Sequence, residues 1–174
     1  PADGLELVKA LIASFKHNQS VYLRLTGSSN APIIYEKDYK FEIGKSVTLK
    51  KGKDVTIFAN GNMVNIAIEV SKKLKEKKIE ASVINVHTIK PIDVSVIKKN
   101  LKSKLFVSIE EHNIIGGLGS AISEVTATFK NSPKHLFFGV NDEYAFSGDY
   151  NFLLKKYGLT TEKISKKIKD NLKI

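Results

Sequence analysis

Residues 105–121 read LFVSIEEHNIIGGLGSA. The mostly apolar run 105–109 has the character of a strand covered on both faces. A helix is expected from Ser120 to residue 129. Between the two lie Glu110, Glu111, His112 and a turn holding Gly116, Gly117 and Gly119. In an open parallel sheet such a turn stands at the carboxyl end of a strand, where ligands and partner surfaces meet the sheet.

The same alternation recurs on both sides of this stretch. Continuous apolar runs at 55–59, 81–86 and 136–140 predict three more buried strands, and a shorter strand is expected at 46–49. Met63, Ile66, Ala67, Val70 and Leu74 recur at helical spacing and predict a helix over 63–77. Asp93 is placed to cap a short helix ending near residue 100. Residues 141–150 read as a polar loop. Thr160 or Thr161 caps a last helix striped by Ile164, Ile168 and Leu172. Strands alternating with helices imply βαβ units. The expected fold is α/β: a three-layer α/β/α unit around a mostly parallel sheet of about five strands. The carboxyl ends of its strands gather Asn60, His87, Glu110, Glu111, His112, Asn141 and Asp142 on one edge.

The opening segment has a different character. Residues 1–16 predict a helix with Asp3 as N-cap, Glu6 in a capping box, and a stripe of Leu5, Val8, Ile12 and Phe15. Residues 21–25 alternate as a strand that carries Arg24, 26–30 form a turn-prone loop, and 33–43 an extended linker. One helix and one strand are too little to bury a core alone. Residues 1–43 are therefore expected to be the tail of a neighbouring domain, with the complete unit at 44–174.

Composition narrows the function classes. Apolar residues make up 42% of the 174, enough for a core, and there is no Cys, which excludes a disulfide framework or a thiolate metal site. No apolar run is long enough to span a bilayer and no secretory leader is visible, so a cytoplasmic setting is expected. The net charge of +10 raises the question of nucleic acid, yet Arg24 is the sole Arg among 28 basic residues. Base-edge readout favours the Arg fork. The Lys clusters therefore read as solvated helix faces, and neither nucleic acid nor membrane is expected as a partner.

Three readings of Glu110, Glu111 and His112 stay open: a metal site completed by His87, an acid/base group, or side chains satisfying amides at a domain interface. The glycines read either as a phosphate-cradling turn or as close helix-on-strand packing, and no dinucleotide or P-loop fingerprint is met. In a Lys-dominated chain Arg24 points to a geometric need, for phosphate or carboxylate binding or for an ion pair. His17 and His135 read as exposed and incidental.

Several segments together resemble the carboxyl-terminal part of the transketolase family, closest to transketolases made as two subunits. They are residues 1–3, 21–25 and 55–61; Asn85-Val86-His87-Thr88-Ile89-Lys90-Pro91-Ile92-Asp93; and residues 110–121, 139–142, 147–148 and 157–160. The resemblance implies an enzyme that uses thiamine diphosphate and magnesium to move a two-carbon ketol unit between sugar phosphates. It implies that 1–43 end a pyrimidine-binding domain and that 44–174 are the third domain. The family's catalytic Glu, substrate histidines and magnesium–diphosphate motif have no counterpart in this chain. The chain alone is therefore expected to be inactive, without cofactor, and to depend on the remaining domains or a second subunit. Arg24 matches the family's strand arginine that contacts substrate phosphate. His87, Glu110, Glu111, His112, Asn141 and Asp142 are then interface residues, serving domain packing and homodimer assembly. Deoxyxylulose phosphate synthases and 2-oxoacid dehydrogenase beta subunits are related alternatives. A stand-alone regulatory module is another.

Overall fold

The computed structural model describes residues 1–26 and 32–172. The expected loop at 26–30 lies, beyond Thr26, outside the described residues. Strands β1 (Val47–Lys50), β2 (Val55–Ala59), β3 (Ala81–Asn85), β4 (Leu105–Asn113) and β5 (Lys134–Val140) form one sheet in the order β1-β3-β2-β4-β5. β1 runs antiparallel to β3, and the other pairs are parallel. Every residue of β2 and β3 is buried, which is why these strands read as mostly apolar, uncharged runs.

The described residues form six helices around the sheet: α1 (Gly4–Phe15), α2 (Met63–Glu76), α3 (Val94–Lys99), α4 (Leu118–Thr126), α5 (Tyr150–Lys156) and α6 (Thr161–Leu172). On one face Val55, Ile57, Val83, Val107 and Phe138 pack with Val70 and Leu74 of α2 and Ile164 and Ile168 of α6. On the other face Phe58, Ile84 and Phe106 pack with Val96 and Ile97 of α3 and Leu118 and Ile122 of α4. The chain thus leaves β2 over one face and β4 over the other. The carboxyl ends of these neighbouring strands form the crevice where doubly wound sheets characteristically bind ligands.

Asp93 caps α3 as expected, accepting from the amides of Ser95 and Val96. Four expectations need correction. β4 runs on to Asn113 rather than ending at Ile109, and a bulge between Ile109 and Asn113 lets Asn113 pair with Val140. Polar residues continue the strand there because β5 still offers a ladder. The helix expected over 120–129 begins two residues earlier and ends at Thr126. Tyr150 opens α5 rather than closing a loop; none of this helix's residues is fully buried, and its stripe of Tyr150, Leu153 and Leu154 is only partly covered. Residues 21–25 form no strand, since no described strand lies beside them to complete a ladder.

α1 is also covered differently from its pattern. Asp3 caps it by accepting from the Glu6 amide at 2.8 Å. The Glu6 side chain, however, does not close a capping box. It is fully buried and accepts from the amide of Ala2, the hydroxyl of Tyr39 and the Nδ2 of Asn85 at the end of β3. The Asp3 carboxylate also accepts from the amides of Ile34 and Tyr35. Meanwhile Val8, Leu11, Ile12 and Phe15 are exposed, Phe15 at 89%. The helix therefore docks through its polar side.

His135 is half-buried, not an incidental surface residue. Its ring stacks on Phe137 at 4.2 Å and meets Phe106 edge-on, with Nδ1 3.2 Å from the Ser123 hydroxyl. Burial lowers its pKa to about 4. A base depressed in the folded state contributes stability that is complete above its ordinary pKa near 6.5 and is lost as pH falls toward 4. The loss attributable to His135 should reach on the order of 3 kcal/mol. The ring resonances of His135 should titrate near pH 4 by NMR, and His135→Phe should flatten the fall in melting temperature between pH 7 and 5. A titration midpoint between 6 and 7 would contradict this environment.

Candidate functional site

The carboxyl edge of the sheet holds the polar residues singled out above, but their side chains diverge. Glu110, on β4, is buried. Its carboxylate accepts from the amides of Leu118 at 2.6 Å and Gly119 at 2.9 Å, the first turn of α4. It thereby takes the place of a side-chain cap, which Gly117 cannot supply. Burial raises its pKa, against the opposing pull of those amides, of His112 and of Arg24.

This geometry answers the question posed by the glycines. A Cβ on Gly117 would collide with the Glu110 carboxylate, and one on Gly119 with the Phe137 ring. Gly116 has φ +79°, which favours glycine. The turn is a close-packing device, and the helix amides that would cradle a phosphate are already used by Glu110.

The neighbouring side chains leave in other directions. The Glu111 carboxylate accepts from the Tyr150 hydroxyl. The Nδ1 of His112 lies 2.8 Å from the carbonyl of Asn113, while Asn113 donates to Asp142 at 2.9 Å. His87 lies beyond the end of β3, stacks on Phe41 at 4.2 Å and has Nδ1 2.9 Å from the Thr88 hydroxyl. Burial lowers its pKa. Asn141 lines an open cleft of about 630 Å³ between β5 and α6. Among the described residues, no three His, Asp or Glu side chains are placed to hold a metal ion. With the glycine turn filled as well, the described residues do not fit thiamine diphosphate and its magnesium.

Arg24 reaches the edge from outside the sheet. It is exposed, and its guanidinium donates to the main-chain carbonyl of Glu111 at 3.0 Å. Two residues on, the Thr26 hydroxyl accepts from Nδ2 of Asn62, the N-cap of α2, at 3.0 Å. Residues 24–26 therefore span the crevice between the ends of β2 and β4. Tyr150 and Asn62 both belong to this arrangement and carried no signal in the sequence. Each lies in a turn or helix start whose partner is far along the chain.

Residues 44–164 match the family model described as transketolase, C-terminal domain. The chain is 39% identical over 175 aligned residues to the "Putative transketolase C-terminal section" of Methanocaldococcus jannaschii, covering 99% of this chain and 54% of that protein. It is 34% identical to a 1-deoxy-D-xylulose-5-phosphate synthase of Dictyoglomus thermophilum, covering 97% of this chain and 28% of the synthase. Among solved structures, a split-gene transketolase in an inactive beta4 tetramer superposes with a TM-score of 0.73 at 38% identity. That match covers 80% of this chain and 46% of the other. The chain thus spans about half the length of the split-transketolase relatives it matches. With the sheet, its flanking helices and the family match in agreement, the chain belongs to the transketolase family, of which it carries the carboxyl-terminal domain.

Proposed function

We propose that this chain is the carboxyl-terminal part of a thiamine-diphosphate transketolase that moves a two-carbon ketol unit between sugar phosphates, and that Arg24 binds the substrate's phosphate. The observation that carries the reading is the placement of Arg24. An exposed guanidinium stands at the β2/β4 crevice, held by one bond to a main-chain carbonyl, and makes no ion pair among the described residues. An Arg so held keeps the planar fork that recognises phosphate in two-pronged fashion.

In this reading residues 1–43 end a pyrimidine-binding domain and 44–174 are the third domain. The exposed side chains of Val8, Leu11, Ile12, Phe15, Tyr22 and Leu25 support it, because so many large apolar residues within one short segment are normally covered. Its cover is the rest of that domain, on the same polypeptide or on a companion subunit. His87, Glu111, His112, Asn141 and Asp142 serve packing and homodimer assembly, whereas Glu110 serves the interior of the third domain. The working enzyme is cytoplasmic, and its catalytic Glu, thiamine diphosphate and magnesium belong to the other domains. The similarity to deoxyxylulose phosphate synthase favours a second reading, condensation of a decarboxylated 2-oxoacid with a sugar-phosphate acceptor. Assaying the assembled enzyme with ketose donors against pyruvate separates the two.

In the assembled enzyme, Arg24→Ala should raise KM for sugar-phosphate acceptors by about 10- to 100-fold and leave non-phosphorylated acceptors little changed. Equal losses on both would reject the phosphate role. Titration calorimetry of the isolated chain with thiamine diphosphate and magnesium should show no binding. Micromolar affinity would overturn the assignment of the cofactor to other domains.

A further inference from the structure

Arg24 is anchored on the backbone of a strand that carries two consecutive carboxylates, Glu110 and Glu111, and forms an ion pair with neither. A guanidinium so placed would ordinarily be drawn into a forked ion pair with a neighbouring carboxylate. Among the described residues it holds only the carbonyl of Glu111. Glu110 is unavailable because its carboxylate is buried against the Leu118 and Gly119 amides. Glu111 is different. It is partly exposed, and its own main-chain carbonyl already holds the guanidinium. Its carboxylate is drawn away by the hydroxyl of Tyr150.

We propose that Tyr150 is a positioning residue for the phosphate grip: its hydroxyl holds the Glu111 carboxylate off Arg24 and so keeps the guanidinium fork open for the substrate's anion. This rests on the reading of Arg24 as the phosphate-binding residue. The local structure is arranged to keep Tyr150 in place. α5 buries none of its residues, yet its start is fixed by Asp149, which accepts from the Phe152 amide at 2.9 Å. Burial and the bond to Glu111 raise the phenol's pKa, against a smaller pull from the Asn62 amide, so the hydroxyl remains a donor at neutral pH. Asn62 meanwhile pins Thr26, so the segment carrying Arg24 is held at two points across the crevice.

Freed of Tyr150, Glu111 would close on Arg24, satisfy its fork and place a negative charge where the phosphate must sit. The substrate would then have to displace a carboxylate to bind. The penalty falls on phosphorylated substrates alone, because a non-phosphorylated sugar makes no demand on Arg24.

The test uses the assembled enzyme, with ribose 5-phosphate and unphosphorylated ribose as acceptors. Tyr150→Phe keeps the ring and removes only the hydroxyl. It should raise KM for ribose 5-phosphate by about tenfold, weaken competitive inhibition by inorganic phosphate in parallel, and leave KM for ribose unchanged. Adding Glu111→Gln to that variant removes the competing charge and should return KM for ribose 5-phosphate to within about twofold of the starting value. A Tyr150 that merely supported the fold would lower the melting temperature, affect both acceptors alike and gain nothing from Glu111→Gln. No change with Tyr150→Phe, equal change on both acceptors, or failure of the rescue would each overturn the proposal. When Arg24→Ala is selective for the phosphorylated acceptor and the rescue fails, the Tyr150 role alone falls. When Arg24→Ala is not selective, the phosphate reading falls and takes this role with it.

Discussion

The arrangement of this molecule hangs on a buried carboxylate. Glu6 is fully buried at the end of β3, where its oxygens accept from Asn85 Nδ2 at 2.8 and 3.0 Å, from Tyr39 Oη at 2.7 Å and from the Ala2 amide at 2.6 Å. Asn85 is equally buried and also donates to the Tyr35 hydroxyl. A buried carboxylate is stable only with such a full set of donors, and removing one leaves an expensive orphan. Burial, the pull of Glu6 and their hydrogen bonds to it raise the pKa of both tyrosines, so their hydroxyls stay protonated near neutrality. This network, with a smaller apolar contribution from Ala2 and Ile34, attaches residues 1–43 to the sheet. Its consequence lies elsewhere on the same edge: with α1 fixed, the following segment brings Phe41 onto His87 and Arg24 onto Glu111.

The polar residues at the strand ends divide by the work they do. Glu110 caps α4 across a turn that only glycine can line, so a cluster resembling an acid/base pair is half structural. Glu111 and Asn62 hold residues 24–26 over the crevice, and Tyr150 holds the Glu111 carboxylate. The sheet thereby presents a residue that it does not itself contain. Phosphate recognition, in this account, depends on contacts between two structural units rather than on a pocket within either.

Much of the fold was legible because its cause is local. Val55–Ala59 and Ala81–Asn85 are covered on both faces, so burial shows as short runs that are mostly apolar and carry no charge. Asp93 announces α3 because capping is decided within three residues. What failed to show was decided at a distance. The apolar stripe of α1 predicted a helix correctly but named the wrong covered face, since Asn85, 79 residues on, is what selects Glu6. β4 continues through Glu110–His112 because β5 accepts it, not because those residues favour a strand. His135 is enclosed by Phe137, two residues on along β5, and by Phe106 of β4, which only the folded sheet brings to it. At the site, Arg24 stood out by its rarity, whereas Tyr150 and Asn62 draw their meaning wholly from partners brought together by folding.

The claim that a polar latch holds residues 1–43 is tested most directly by hydrogen exchange on Glu6→Leu, which leaves helix propensity intact and removes the acceptor. Amides of α1 should exchange at least about tenfold faster than in the unaltered chain, the equivalent of losing more than 1 kcal/mol of local protection, while β2, β3 and β4 keep theirs. Unchanged protection in α1 would show that something other than Glu6 holds the segment, and loss of protection throughout the sheet would show that the two parts are not separable units.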